Sequence, residues 1–220
     1  MKIRAIVTGA TGMVGEGVLH ECLLHEDVEK VLVVGRKPCG VVHAKLKEVL
    51  LPDFLKPEII AGELSGCNAC FFCLGISSVG VNAEKYKLLT YDLTMGFAKV
   101  VAEQNSDMTF CYVSGTGTDG TETSRMAWAR VKGKTENDLA KLGFRQAFAF
   151  RPGYIQPTKG LKNTYKVYRL LAPLYPLWKL LMPGTTVTLR ELGLAMINTV
   201  NKGYTKPVLE GRDIRKLAGE

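Results

Sequence analysis

The chain has 220 residues, 46% apolar and 23% charged, which excludes a disordered or fibrous protein and leaves room for one full-sized core. Lys and Arg total 29 against 21 Asp and Glu, giving a net charge of +8 that favours anionic partners. The charge is spread along the chain with no basic tract and interleaved aromatics, so no nucleic-acid partner is expected.

Short apolar runs alternate with longer amphipathic ones, the pattern of a parallel sheet covered by helices. Strands are expected at Ile3–Val7, Lys30–Val34, Glu58–Ile60, Ala69–Leu74, Thr109–Ser114 and Ala147–Phe150. Helices are expected at Met13–His25, Ala83–Gln104, Ser124–Leu142, Tyr165–Met182 and Leu189–Asn201, with a shorter helix or turn at Ala44–Leu50. Thr188 and Glu191 have the spacing of a capping box ahead of the last helix. The order predicts an α/β fold, a doubly wound parallel sheet of the Rossmann type with right-handed crossovers. The whole of 1–220 reads as one domain. Residues 154–220 form a small, mostly helical C-terminal extension expected to wall a substrate cleft.

The N-terminus enters its first strand with no secretory h-region, and six cysteines fit reduced thiols, so a cytoplasmic protein is expected. Cys67, Cys70 and Cys73 have the spacing of iron–sulfur ligands. No suitable fourth cysteine follows, and strand geometry sends positions three apart to opposite faces, so no metal site is expected.

The strongest motif is the turn Thr8-Gly9-Ala10-Thr11-Gly12-Met13-Val14-Gly15, set between a strand and a helix. Glycine lets the backbone turn sharply and approach a pyrophosphate with no Cβ in the way. The helix that follows aims free N–H groups and its positive dipole end at the phosphates. Gly9 through Gly15 are therefore candidate cofactor-binding residues. The second strand ends in Gly35-Arg36-Lys37, where an NAD-selective site usually carries Asp or Glu. A guanidinium can grip a 2′-phosphate with two parallel hydrogen bonds, which favours NADP over NAD. Cys73-Leu74-Gly75 ends the fourth strand, either passing close to the adenosine ribose or as a plain strand end.

These residues resemble the short-chain dehydrogenase/reductase superfamily, on its atypical, NAD-dependent epimerase/dehydratase-like side. The likeness rests on the glycine turn, Leu74 and Gly75, Ser114, Val131-Lys132-Gly133 and Arg151-Pro152-Gly153, and points to the branch of the Tat-interacting reductase-like proteins. That resemblance implies roles in cofactor binding for Leu74, Gly75, Lys132, Pro152 and Gly153. It also implies catalytic roles for Ser114 and Lys132. The superfamily's catalytic tyrosine, four residues before the lysine, is replaced by Trp128, and its asparagine position aligns loosely with Asp92. An indole N–H donates a hydrogen bond but does not titrate usefully, and general acid–base catalysis is worth ~10²–10⁴-fold. Tyr154, after the Arg-Pro-Gly turn, is the candidate substitute.

His20, His25 and His43 stand in no triad or metal-ligand context, and Ser114 lies in no nucleophile elbow, which sets hydrolase chemistry aside. The apolar stretch from Val167 to Met182 is too short and too interrupted to span a membrane. It could pack in the core, cover an apolar pocket, touch a membrane surface or form a dimer face. Two readings follow. One is an NADP-dependent oxidoreductase or epimerase acting on a small organic molecule, as monomer or homodimer. The other is a weakly active NADPH-binding sensor that works through a protein partner.

Overall fold

The computed structural model describes residues 2–164 and 184–219. Its main sheet contains β1 (Ile3–Thr8), β2 (Val28–Gly35), β3 (Leu46–Leu50), β4 (Ala69–Phe72), β5 (Thr109–Val113) and β6 (Gln146–Arg151). A small second sheet pairs β7 (Ile155–Gln156) with β8 (Val187–Thr188), and β9 (Val208–Glu210) returns to the main sheet. The helices are α1 (Met13–Leu24), α2 (Ala83–Lys87), α3 (Leu93–Gln104), α4 (Ala127–Leu139), α5 (Leu189–Lys202) and α6 (Gly211–Ala218). All main-sheet pairings are parallel, in the order β3-β2-β1-β4-β5-β6-β9. The winding reverses between β1 and β4, and a doubly wound sheet opens its ligand crevice at that reversal, beyond the carboxyl ends of the strands.

Both faces of the sheet are covered, so its central strands are near-continuous apolar runs. All four residues of β4, Ala69-Cys70-Phe71-Phe72, are buried. Alternate side chains go to opposite layers. Ala5, Val7, Val31, Val33 and Phe71 pack beneath α1 and α5, against Val18, Leu19, Leu192 and Met196. Ile6, Leu32, Val34, Phe72 and Phe110 pack beneath α3, against Phe97, Ala98 and Val101. Cys67 and Cys70 belong to this second core, whereas Cys73 packs against the first.

The helix expected at Ala83–Gln104 is helical throughout but takes a π-helical turn at Leu88–Asp92 between α2 and α3. The capping box of α5 forms as its spacing predicts. Thr188 Oγ1 accepts from the Glu191 amide at 3.0 Å, and the Glu191 carboxylate accepts from the Thr188 amide at 2.5 Å.

Two segments depart from expectation. Glu58–Ile60 is part of a 3-10 helix, Pro57–Leu64, because Pro57 fixes a helical φ at its start and Ile59 is 66% exposed. Ala44–Leu50 contributes β3, which pairs with β2 from Val31 opposite Leu46 to Gly35 opposite Leu50. The C-terminal third does more than flank a cleft: β9 extends the main sheet beside β6, and α5 covers the face it shares with α1. The helix expected at Tyr165–Met182, with its apolar stretch, lies outside the described residues. Among the described residues no helix is long and apolar enough to cross a membrane.

Candidate functional site

The first βα turn is built by close backbone approach. Gly9 has φ +71°, and a Cβ there would stand 2.8 Å from the Cys73 carbonyl carbon. A Cβ on Gly15 would stand 2.2 Å from the Gly9 carbonyl oxygen, so α1 can leave the turn at this angle only with glycine at that position. Gly12 is the N-cap of α1 and donates its own amide to the Gly9 carbonyl at 2.9 Å. It has no side chain to occupy the amides of the first turn, which face outward with the positive end of the helix dipole. Thr8, buried at the end of β1, fastens this turn to the neighbouring strand. Its Oγ1 accepts from the amides of Cys73 and Leu74 at 3.1 and 3.2 Å.

Around this turn stand the other candidates at the carboxyl edge of the sheet. Arg36 and Lys37 follow β2 directly and are exposed. Neither makes an ion pair or hydrogen bond through its side chain within the described residues. Leu74 is held by Thr8, and Gly75 beyond it is exposed.

The second half of the crevice is organised by a buried ion pair. Glu136, on α4, accepts from Arg151 at the end of β6: Nε reaches Oε1 at 3.0 Å and Nη2 reaches Oε2 at 2.5 Å. The Glu136 carboxylate and hydrogen bond hold the Arg151 guanidinium above its usual range. Arg151 Nη1 also lies 3.5 Å from Glu210.

Ser114 joins this network and not the crevice. It is 4% exposed, its hydroxyl donates to Glu136 Oε1 at 2.5 Å, and the Phe150 carbonyl lies at 3.2 Å. Lys132, one helical turn before Glu136, donates to the main-chain carbonyl of Ser114. Burial pushes its ammonium below the usual lysine range, and Glu136 partly opposes that. Gly133 follows because a Cβ there would fall 1.7 Å from the Asp119 carbonyl oxygen; α4 runs directly over the loop that leaves β5.

Sequence reasoning missed two groups here. Glu136 lies four residues after Lys132 on α4, a spacing that puts both on one face and could have flagged it. Thr116 lies two residues past Ser114 and is exposed. Its amide donates to the Pro152 carbonyl at 3.0 Å and its hydroxyl to the Arg151 carbonyl at 3.0 Å. The strand exits of β5 and β6 are thereby clamped together. Pro152 is buried in that clamp, and the Gly153 amide donates to the Thr185 carbonyl at 2.9 Å.

Trp128 is half-buried with its ring edge against Gly117. Tyr154 precedes β7, and its hydroxyl donates to Gln156 at 2.9 Å. Tyr112 points into the core, where burial raises its phenol far above the usual range. Asp92 pairs with Lys87 at 3.0 Å on the π-helical turn.

No family model matches the chain. The protein FMP52, mitochondrial, of Debaryomyces hansenii is 30% identical over 165 residues, covering 72% of this chain and 71% of that protein. Other yeast proteins of the same name also match. Among solved structures, a short-chain dehydrogenase from Burkholderia cenocepacia in complex with NADP superposes with a TM-score of 0.67 at 17% identity, covering 99% of this chain and 91% of that one. The Bordetella bronchiseptica enzyme WbmH in complex with NAD+ superposes with a TM-score of 0.65 at 14% identity, covering 91% and 72%.

The cytoplasmic placement expected from the sequence does not stand, because these relatives are named as mitochondrial proteins. A secretory signal bears on export and says nothing of organelles. The thiols are equally silent, since Cys22, Cys70 and Cys111 are sealed in the core. By identity and coverage together, the chain belongs to the FMP52 family, and it is built on the fold of the atypical short-chain dehydrogenases/reductases.

Proposed function

We propose that the protein is an NADP-dependent oxidoreductase or epimerase of a small organic substrate, working in the crevice beyond β1, β2 and β4. The observation that carries this reading is the turn from Gly9 to Gly15. It turns so tightly that a Cβ at Gly9 or Gly15 would collide with neighbouring backbone, and the first-turn amides of α1 have no capping side chain. Residues 9–15 would hold the pyrophosphate through main-chain amides. Leu74 and Gly75 would flank the adenosine ribose, and Pro152 and Gly153 would close the nicotinamide end. Arg36 and Lys37, without side-chain partners among the described residues, are suited to a 2′-phosphate, which sets NADP ahead of NAD. When bound, the nicotinamide supplies the hydride donor or acceptor.

The chain's own groups divide the remaining work. Lys132, held at the floor of the crevice by the Ser114 carbonyl, orients the ribose and the substrate oxygen. Ser114 positions rather than reacts, because its hydroxyl is committed to Glu136. Thr116 offers the exposed hydroxyl on the same strand exit, and we assign it the contact to substrate. Trp128 contributes shape and an N–H, and Tyr154 keeps its hydroxyl on Gln156. The family's relatives are named mitochondrial, which supports the same compartment for this chain.

Calorimetric titration with NADPH, NADP+, NADH and NAD+ tests the proposal. Tight binding of the phosphorylated pair is expected. Arg36→Ala should weaken NADPH by about tenfold or more and NADH little, as loss of a charge-assisted pair worth ~1.5–3 kcal/mol implies. No heat with any of the four nucleotides would end the proposal; equal losses for NADPH and NADH would end the role of Arg36.

A further inference from the structure

The amino ends of the first three strands carry a second cationic feature, far from the crevice. Side-chain alternation puts Arg4 on the same face as Ile6, Lys30 on the same face as Leu32, and Lys47 on the same face as Val49. Register makes Arg4 the direct neighbour of Lys30, and Lys47 the neighbour of Leu32. Three adjacent strands thus each present a cation to one face. There they line a cleft of about 440 Å³, closed on its far side by Glu63, Ser65 and Cys67.

The charges in this cleft do not balance. Among the described residues Glu63 is its one acidic wall residue, and Glu63 is already bound by Lys47 at 2.5 Å. The side chains of Arg4 and Lys30 make no ion pair or hydrogen bond within the described residues. Glu29 shares the adjoining recess with Arg4 but forms no ion pair with it. Like charges placed side by side on neighbouring strands are unfavourable, and an anion between them reverses the sign of that interaction. The backbone beneath is fixed: the Arg4 amide donates to Asn68 Oδ1 at 2.9 Å, and its carbonyl accepts from the Asn68 amide at 3.0 Å.

We propose that this cleft is a binding site for a phosphate monoester, held by the forked donors of Arg4 and the ammonium of Lys30. The guanidinium matches two phosphate oxygens at once, and the lysine adds a point charge. The cleft is larger than a phosphate alone, and Leu32, on the same face as the three cations, leaves an apolar wall for the esterified group. Arg4 and Thr8 are four strand residues apart, about 13 Å at the usual rise, so this site is separate from the glycine turn and does not depend on the nucleotide reading.

The test is amide-resolved NMR of the labelled chain titrated with glycerol 3-phosphate, against sodium chloride of matched ionic strength. Saturable shifts are expected at Arg4, Lys30 and Lys47. The variant Arg4→Gln with Lys30→Gln should bind at least tenfold more weakly, and Arg36→Ala should bind unchanged. A parallel arm sediments the protein with phosphatidylcholine vesicles, with and without phosphatidic acid. Binding that needs phosphatidic acid and is lost in the double variant identifies a lipid headgroup as the source, and saturation by glycerol 3-phosphate alone identifies a soluble ester. Shifts confined to Gly9–Gly15 or reproduced by sodium chloride, together with no variant-sensitive vesicle binding, would overturn the site. So would full affinity in the double variant.

Discussion

Removing Glu136 tests the claim that a buried ion pair, and not the strand exits alone, holds the second half of the crevice. The Glu136 side chain is 4% exposed and that of Arg151 15%, and the pair is joined by two parallel hydrogen bonds. Breaking such a pair by deleting one partner typically costs about 3–5 kcal/mol, because the other charge is left buried without its counter-ion. Glu210, 46% exposed and 3.5 Å from Nη1, can take up part of the load in Glu136→Ala, which favours the lower end, about 3 kcal/mol. At about 2–4 °C per kcal/mol for a chain of this size, the melting temperature should fall by roughly 6–12 °C. The pair Glu136→Leu with Arg151→Met replaces both charges by apolar groups of similar volume and should cost little, so the double variant should be more stable than either single one. Thermal unfolding followed by circular dichroism measures the wild type, Glu136→Ala, the two single variants of the pair and the double variant. A loss under about 1 kcal/mol in Glu136→Ala, or single costs that simply add, would show that solvent and Glu210 already satisfy Arg151 and would refute the reasoning.

Three other expectations follow from the same geometry. Gly15→Ala puts a Cβ 2.2 Å from the Gly9 carbonyl oxygen, so it should cost about 1–3 kcal/mol of stability and at least tenfold in nucleotide affinity by calorimetry. Ser114→Ala should lower stability by about 1–3 kcal/mol, since it removes a buried hydrogen bond to a charged carboxylate and leaves Oε1 with Arg151 alone, whereas Thr116→Ala, at an exposed site, should cost under about 1 kcal/mol. Equal stability losses in urea would mean that the two hydroxyls do not divide the work as proposed. The thiol of Cys111, fully buried, is pushed up to about 12. The folded protein therefore keeps that proton after the unfolded chain has lost it, and stability falls as pH rises above about 9. Cys111→Ala should flatten the loss between about pH 9 and pH 10 by about 1 kcal/mol. Lys132 works in the opposite sense, since its lowered affinity for a proton makes the unfolded chain the better base just below the usual lysine range, so an unchanged slope in Cys111→Ala would contradict the burial argument.

What could be read from the sequence was what local chemistry dictates. The apolar runs of β1, β2, β4, β5 and β6 are central strands covered on both faces, and their composition alone announces them. The elements at the sheet's margins were misread or missed for the complementary reason. β3 has a neighbour on one side only and mixes Lys47 and Glu48 with Leu46 and Val49, so its pattern is diluted. β9 is three residues long and becomes a strand because β6 offers an open edge, a fact stored in the fold rather than in Val208-Leu209-Glu210. Pro57 weighed too little against the two isoleucines that follow it, though a fixed φ at a helix start is the more local constraint.

The site divides along the same line. The glycine turn was legible because its requirement, room for a backbone, is written in the residues that make it. The orientation of Ser114 was not, because it is set by Glu136, 22 residues on, and through it by Arg151 on another strand. A serine at a strand end can face the crevice or the core with no change in its neighbours, and the carboxylate that decides between them reaches it only after β5, α4 and β6 have packed. With one hydroxyl drawn inward at 2.5 Å, the next hydroxyl-bearing residue of that exit is Thr116, which is exposed and donates to the Arg151 carbonyl. On the proposed function, the contact to substrate is thus displaced two residues along the chain from where the motif alone would put it, and the buried glutamate is the physical cause.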